Sequence, residues 1–417
     1  MEVEGMTAGF HALAPVKSVL DRRSRLCATL FISICLVYVA CSTGLSGLCL
    51  AATAPADEGK ALAGLGIEQY EKGDFTEAVK TLNKAIKLGT AGDEVRFYLA
   101  MAYLEKGMLK EGLSETKLIS GGFSRRSELY LKLGDAYMNR GGLHDEAILS
   151  DAIHWYKEAL AANGKDARPH FSLGLAYYEA GRFADAQREF EAVLELDPGY
   201  IGARENLALT YLAQGDRDRA FEEYGRALQG APGDMGLRVA FGDLCLERGQ
   251  YEEAIDQYSQ VVNALPTYAV GHYKLATAYY RAGRVDEAIA EHKETTRLDP
   301  YFFYAYYGLG ILYFERSMFN EAVEEFKRAI HYNPSYVSAY IGLGRAYMAM
   351  DRMVEAIAAL KVATHLSVLD RDSHYWLGVA YARSNNEELA IRELRKTLHI
   401  DSTYTPAREL LDQLRNP

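Results

Sequence analysis

The feature that most constrains this chain is a pattern that recurs every 34 residues between Ala167 and Tyr336. Three residue types keep this interval: prolines at Pro198, Pro232, Pro266, Pro300 and Pro334; small residues at Gly174, Ala208, Gly242, Ala276 and Gly310; and alanines at Ala186, Ala220, Ala254, Ala288 and Ala322. A fixed period is typical of a protein that stacks one small unit on the next. Because each unit contacts only its neighbours, the 417 residues need not divide into globular domains.

Each period reads as two helices. When the residues are numbered from Ala167, apolar or small side chains at positions 4, 7, 8 and 11 have the spacing of one buried helical face. A small residue at position 8 predicts a crossing of two helices that leaves no room for a larger side chain. Proline at position 32 ends the second helix because it lacks the N–H and disfavours helix at the preceding residue.

These positions resemble the tetratricopeptide repeat family, a helix-turn-helix of 34 residues, and the clearest copy spans residues 167–200. The resemblance implies an all-α, right-handed superhelical solenoid of about ten such units with a C-terminal capping helix at residues 405–417. The copies span 59–92, 93–126, 127–166, 167–200, 201–234, 235–268, 269–302, 303–336, 337–370 and 371–404. Position 8 is small in every copy, whereas position 20 departs from alanine at Gly112 and position 11 departs from tyrosine at Gln69 and Cys245.

The third copy contains six extra residues near Gly141–Ser150. We expect either a longer turn or an N-terminal extension of the second helix, with Asp145 as a potential cap. Length variation in a surface loop is well tolerated, so no function is assigned to the insertion.

Residues 1–56 have the features of an export segment. Arg22, Arg23 and Arg25 precede a stretch without charge from Leu26 to Ala56, which ends in small residues. This order is typical of a cleaved secretory signal, with Ala54-Pro55-Ala56 as the cleavage site. An uncleaved membrane anchor over Leu26–Leu50 and a lipid on Cys41 are the alternatives. All three place the repeats outside the cytoplasm, in a bacterial periplasm or envelope.

Composition excludes several classes of partner. The net charge is -11, and the part after residue 56 carries more acidic than basic side chains. Nucleic acid and anionic membrane surfaces require a basic face, so neither is expected to bind the repeats; membrane contact is expected only through the N-terminal segment.

No catalytic motif or cofactor-binding loop is present, and we therefore expect a protein that is not an enzyme and holds no cofactor or metal. His170, His272 and His374 all occupy position 4 and lie three copies apart, so they are interpreted as filling an aromatic slot. His292 occupies position 24, a packing position. Carboxylates such as Glu252, Glu253, Glu324 and Glu325 are interpreted as a solvated face of the second helices.

In this family the concave face is formed mainly by positions 2, 5, 9, 12 and 13 of the first helix. Aromatic and aliphatic side chains there form the candidate peptide groove: Phe171, Tyr178, Tyr273, Tyr280, Tyr304, Tyr307, Ile311 and Phe314. Clustered aromatic residues in a groove are typical anchors for a partner. The alternative is that they pack between successive first helices. Lys and Asn never occur together at positions 5 and 9, so the subtype that clamps a C-terminal carboxylate is not expected.

The sequence therefore predicts a scaffold that binds proteins or peptides in the groove, in bacterial envelope assembly. An accessory subunit of an envelope enzyme, secretion or polysaccharide-export complex is the alternative. The sequence leaves the partner and the oligomeric state undetermined.

Overall fold

The computed structural model describes residues 55–140 and 145–415, which form helices and no strands. The first helix of each pair is α1 (Pro55–Glu71), α3 (Asp93–Glu105), α5 (Arg126–Met138), α7 (Ala167–Glu179), α9 (Ile201–Ala213), α11 (Met235–Glu247), α13 (Ala269–Arg281), α15 (Phe303–Glu315), α17 (Val337–Ala349) and α19 (Arg371–Arg383). The second helix is α2 (Phe75–Lys87), α4 (Leu109–Thr116), α6 (Glu146–Ala162), α8 (Phe183–Leu196), α10 (Arg217–Gly230), α12 (Tyr251–Ala264), α14 (Val285–Leu298), α16 (Phe319–Tyr332), α18 (Met353–Leu366) and α20 (Glu387–Ile400), and α21 (Thr405–Arg415) follows the last pair. The predicted all-α repeat fold is confirmed.

The two helices of a pair meet at the small residue of position 8. A Cβ on Gly310 would lie 2.6 Å from the ring of Phe326, and a Cβ on Gly174 would lie 2.6 Å from the ring of Phe190. Both rings occupy position 24 and are completely buried. The glycines are therefore needed for the close approach of the helices, since no real Cβ tolerates such a distance.

The same ring also fixes the next copy. Phe326 lies against Gly342 at position 6 of the following first helix, where a Cβ would again be 2.6 Å away. One buried side chain thus packs between α15 and α17, and the core continues from copy to copy.

The turn within each pair requires left-handed backbone at position 15. Glycine adopts it in most described copies, for example at Gly283 with φ 77°. The last three copies place Ser317, Asp351 and Asn385 there, with φ between 56° and 59°. Side chains at this conformation are strained, whereas glycine adopts it without a steric cost.

Tyrosine fills position 11 in eight of the ten copies, and in several of them the ring lies beneath an arginine. Arg182, Arg284 and Arg352 each lie over the ring of the tyrosine five residues earlier, at 4.4, 4.6 and 4.8 Å from the centroid. Tyr177 and Tyr347 are buried and Tyr279 is half-buried, and in each pair the cation lies over the ring. Cys245, which replaces this tyrosine in one copy, is a buried free thiol, and burial raises its pKa to about 12.

The insertion in the third copy and the C-terminal segment both form the helices that the sequence predicts. Helix α6 has 17 residues and begins after Asp145, whose carboxylate accepts hydrogen bonds from the N–H groups of Ala147 and Ile148 at 3.0 and 3.4 Å. The extra residues therefore lengthen the second helix. At the C-terminus, Leu411 of α21 is buried against Leu394, while its exposed face carries the charged side chains.

The predicted export segment lies almost entirely outside the described residues, which begin at Pro55 in the first turn of α1. Within residues 55–140 and 145–415, no helix has the length and apolar composition needed to cross a bilayer.

Candidate binding face of the first helices

The candidate groove residues all lie on first helices, and all are half-buried. On α7, the ring of Phe171 lies 5.9 Å from Phe190 and 5.1 Å from Tyr200. Tyr178, near the end of the same helix, lies 5.5 Å from Phe183. Each side chain therefore contacts its own copy while part of its surface stays open to solvent.

The aromatic residues of copies 7 and 8 join into one cluster. The ring of Tyr273 lies 5.0 Å from Phe302 and 6.3 Å from Tyr304. Tyr336 is at its centre, 5.5 Å from Tyr304 and 5.1 Å from Tyr307, in edge-to-face geometry. Edge-to-face contacts between aromatic rings stabilise beyond the area that they bury. This aromatic cluster links two successive repeats.

Burial keeps the hydroxyl groups of two cluster residues, Tyr273 and Tyr336, neutral. Burial raises the pKa of Tyr273 to about 12, and the neighbouring Tyr304 adds to the effect. The pKa of Tyr336 is raised above its ordinary value for the same reason, burial first and the adjacent tyrosines second. Tyr273 and Tyr336 therefore contribute uncharged side chains to the cluster at any physiological pH.

The C-terminal half of α15 faces the following first helix. Ile311 and Phe314 pack against the core cluster that contains Phe326 and Tyr347. The guanidinium of Arg345 lies over two rings, 5.2 Å from the centroid of Phe314 and 4.6 Å from that of Trp376. The cation extends the aromatic surface into the last copies, where cation–π contacts keep its side chain in place.

Tyr280 connects the groove positions of adjacent copies by a polar contact. Its hydroxyl donates to a carboxylate oxygen of Glu315 at 2.6 Å. Burial raises the pKa of Tyr280, and the hydrogen bond to Glu315 raises it further. The ring is thus held at the edge of the face.

A second polar junction lies at position 9 of the sixth copy. Asp243 accepts a hydrogen bond from the hydroxyl of Tyr258 at 2.5 Å and two from the ammonium of Lys274, at 2.6 and 2.8 Å. These contacts join α11, α12 and α13 and balance the charge of the carboxylate. Burial raises the pKa of Tyr258 well above its ordinary value, so its hydroxyl remains the donor.

These contacts bear on both interpretations of the groove residues. Tyr273 and Tyr304 contact each other across two copies, Tyr307 contacts Tyr336 of its own copy, and each keeps part of its surface exposed. A side chain with both properties can hold the array together and offer an edge to a partner. Their role in partner binding remains a prediction.

Sequence reasoning missed two participants in this face, Phe302 and Tyr336. Both occupy position 34, the last residue of the repeat. An available signal was that position 34 is aromatic at Tyr200, Tyr268, Phe302, Tyr336 and Tyr404. An aromatic residue that recurs with the period of the repeat indicates packing at every junction.

The sequence-based interpretation that the histidines at position 4 only fill an aromatic slot is wrong, because they form polar contacts there. Nδ1 of His170, His272 and His374 faces the carboxylate at position 23 of the same copy, at 2.7, 2.6 and 2.7 Å. Nε2 of His272 and His374 faces the carbonyl six residues earlier, at 3.1 and 3.2 Å. The imidazole therefore bridges the turn from the previous copy to the second helix of its own.

Arginine makes the same bridge in other copies. Arg204 donates to Glu223 at 2.9 Å and to the carbonyl of Pro198 at 2.9 Å. The separation of 19 residues between partners recurs down the chain and could have been read from the sequence. The interpretation of Glu324 and Glu325 as one solvated face is also corrected. Glu324 is exposed, whereas Glu325 at position 23 is half-buried and burial raises its pKa.

The comparisons with known proteins agree with this geometry. Models described as "TPR repeat" match residues 242–283 and 277–317. Models described as "Tetratricopeptide repeat" match residues 64–115, 149–201, 171–235 and 313–374. The chain belongs to the tetratricopeptide repeat family, whose fold is that of a protein–protein interaction scaffold.

The individual relatives share parts of the chain. DnaJ homolog subfamily C member 3 of Bos taurus is 25% identical over 150 residues, which are 34% of this chain and 30% of the relative. Superkiller protein 3 of Schizosaccharomyces pombe is 29% identical over 157 residues, which are 36% of this chain and 11% of that protein. This chain thus matches less than a third of either relative.

Among solved structures, a tetratricopeptide repeat protein from Parabacteroides merdae aligns with a TM-score of 0.50 and 18% identity. The alignment covers 60% of this chain and 99% of that one. The similarity concerns the fold.

Proposed function

We propose that this protein is a non-catalytic scaffold that binds a partner protein or peptide on the concave face of its first helices, in bacterial envelope assembly. The observation that carries the proposal is the aromatic cluster around Tyr336, whose rings join copies 7 and 8 and are only half-buried. Exposed aromatic clusters are frequent anchors of protein interfaces.

The envelope location rests on the N-terminal sequence. The basic residues Arg22, Arg23 and Arg25 followed by the uncharged Leu26–Ala56 support export by a cleaved signal or retention by an anchor. Mass spectrometry of the native protein distinguishes the routes: a chain that starts at Asp57 indicates cleavage, an intact Leu26–Leu50 indicates an anchor, and a lipid on Cys41 indicates a lipoprotein. Recovery of the intact, unmodified chain only from the cytoplasmic fraction contradicts this location.

An accessory subunit of an envelope enzyme, secretion or polysaccharide-export complex is the second candidate. The same face would then bind one dedicated enzyme or exporter. Crosslinking in cells, followed by identification of the partner, distinguishes the two, because an accessory subunit recovers an enzyme or exporter component in constant ratio.

The test of the binding face uses truncation of Tyr280 and Phe314 to alanine. For the partner identified by crosslinking, we expect each variant to weaken the dissociation constant by about tenfold or more, since buried aromatic anchors dominate interfaces. The control is Tyr301→Ala, which removes the same ring from a turn where the tyrosine is 76% exposed.

Thermal unfolding is measured for all three variants. Equal affinity of Tyr280→Ala, Phe314→Ala and Tyr301→Ala would rule out this face. A loss of affinity that occurs only together with a loss of helicity would assign the rings to packing.

A further inference from the structure

The outer face of the ninth copy differs from the same face of its neighbours. Helix α18 exposes Val354, Ala358, Val362 and Leu366, each four residues after the last, so that they form one apolar stripe. The stripe continues into the turn at Val368 and Leu369; Val354 is 80% exposed and Leu369 is 75% exposed. We call these six residues the α18 stripe.

Neighbouring second helices provide an internal comparison. At the positions of Val354, Ala358 and Val362, helix α16 carries Asn320, Glu324 and Arg328, and helix α20 carries Glu388, Arg392 and Lys396. The fold of the copy therefore does not require apolar side chains here. An exposed apolar stripe in a repeat whose neighbours are polar at the same positions indicates a contact surface.

We propose that the α18 stripe is the contact by which two copies of this chain associate, with α18 packed antiparallel on α18 of the second copy. The four helical residues of the stripe are their own complement under a two-fold axis that passes between Ala358 and Val362, whereas Val368 and Leu369 come level with Arg352 and Asp351 of the second copy, at the end of the contact. Val354 then faces Leu366 of the second copy, and Ala358 faces Val362. The small side chain of Ala358 lets the two helices approach closely.

Charge selects the antiparallel orientation. Helix α18 has Glu355, which is paired with Arg352 at 2.6 Å, in its first turn and His365 in its last, so the antiparallel arrangement brings each level with the other. On the adjacent α16, it brings Glu324 to Arg328 of the second copy. A parallel arrangement would place Glu355 opposite Glu355 and align the two helix dipoles.

The contact is expected to be small. A helix of 14 residues is about 21 Å long, so the stripe covers less than the roughly 800 Å² per partner of a standard interface. On α20, Arg392 and Lys396 would face each other with like charge, which confines the contact to α18 and α16. We therefore expect a weak dimer that forms in the micromolar range.

The test is sedimentation velocity of the full chain over a concentration series, in one buffer and detergent for all variants. Ala358→Glu should weaken self-association by about tenfold or more, because a carboxylate would be buried in the contact. The matched control is Ala290→Glu, the same substitution at the same repeat position of α14, where the alanine is also exposed. It should associate like the unmodified chain.

A charge pair tests the orientation. Val354→Glu and Leu366→Lys should each weaken association, and the double variant should recover it to within a few-fold, since the two new charges meet only across the antiparallel contact. Within one helix they lie 12 residues, or about 18 Å, apart and cannot pair.

Three results overturn the proposal: an unmodified chain that stays monomeric throughout the series, equal association of Ala358→Glu and Ala290→Glu, or a double variant no stronger than its weaker parent. Binding to vesicles of phosphatidylcholine and phosphatidylglycerol tests the alternative that the α18 stripe contacts a lipid bilayer. If Ala358→Glu reduces vesicle binding while the unmodified chain remains a monomer, the stripe is a lipid-binding face instead.

Discussion

At the scale of single residues, buried polar groups set the chemistry of this molecule. His292 occupies the position that is filled by Phe190 and Phe326 in other copies, and it is 4% exposed. Its Nδ1 has no hydrogen-bond partner among the described residues, and its ring lies 5.7 Å from that of Tyr273. Burial lowers the pKa of His292 to about 3, so the imidazole is neutral in the folded protein.

A buried neutral histidine makes stability depend on pH. The unfolded chain binds a proton at this residue below its ordinary pKa of about 6.5, whereas the folded protein does not until about pH 3. Stability is therefore fully present above pH 6.5 and falls as the pH drops towards 3. Between pH 8 and pH 5 we expect His292→Leu to remove about 2 kcal/mol of this loss, measured by urea unfolding at both pH values.

Leucine is the chosen substitute because it occupies the same position as Leu82, Leu360 and Leu394 in other copies. The pH dependence, rather than the absolute stability, is compared, since leucine also changes the packing. If the unmodified chain and His292→Leu lose equal stability between pH 8 and pH 5, His292 is not held neutral.

At the scale of one helical pair, the turn at position 15 separates the early copies from the last three. Gly283 and its equivalents adopt positive φ, while Ser317 and Asn385 pay a steric cost to adopt it. The small residue at position 8 and the arginine over the tyrosine of position 11 complete the pair. A typical pair therefore has three common features: the turn at position 15, the helix crossing at position 8 and a tyrosine ring at position 11 beneath an arginine.

The turn predicts a stabilising substitution. Ser317→Gly should raise the free energy of unfolding by about 0.5 kcal/mol or more, because glycine reaches φ 59° without a Cβ clash. Thermal and urea unfolding measure the change. The reciprocal control is Gly283→Ser, which should destabilise by a similar amount; a Cβ there meets no atom within 4 Å, so the cost is conformational. A Ser317→Gly variant that is less stable than the unmodified chain would contradict this account.

At the scale of the whole molecule, the described repeats are stabilised between neighbours and completed by α21. Ala407 and Leu411 of this helix are buried against Leu394 of the last pair. In a stack where contacts are made only between neighbours, the loss of a cap destabilises only the adjacent repeats.

Leu411→Asp should therefore raise amide hydrogen exchange in α19, α20 and α21 and leave α7 to α12 unchanged, because an unpaired charge would be placed against the last apolar face. Exchange mass spectrometry measures this. Gln413→Asp adds the same charge on the exposed side of α21 and should have no effect. Equal exchange changes throughout the repeats would show that they unfold as one unit.

Much of the fold was accessible from the sequence because its determinants are periodic. Gly174, Ala186 and Pro198 each have one local role, in a helix crossing, a buried face and a helix end, and repetition makes the role visible. Helix α7, for example, begins at Ala167, where the period begins. Leu411 was likewise predictable as a cap residue, since an apolar position on an amphipathic last helix has only one face to cover.

Tertiary structure alone decided how the non-periodic side chains are used. His374 meets Glu393 only because the helical pair closes over 19 residues, and Tyr336 becomes the centre of an aromatic cluster because copies 7 and 8 stack on each other. The exposure of Val354 likewise depends on which helix face its neighbours leave uncovered. The sequence by itself determined the repeated unit, because that unit depends on local spacing; the binding face and the α18 stripe depend on contacts between units, which no single period contains.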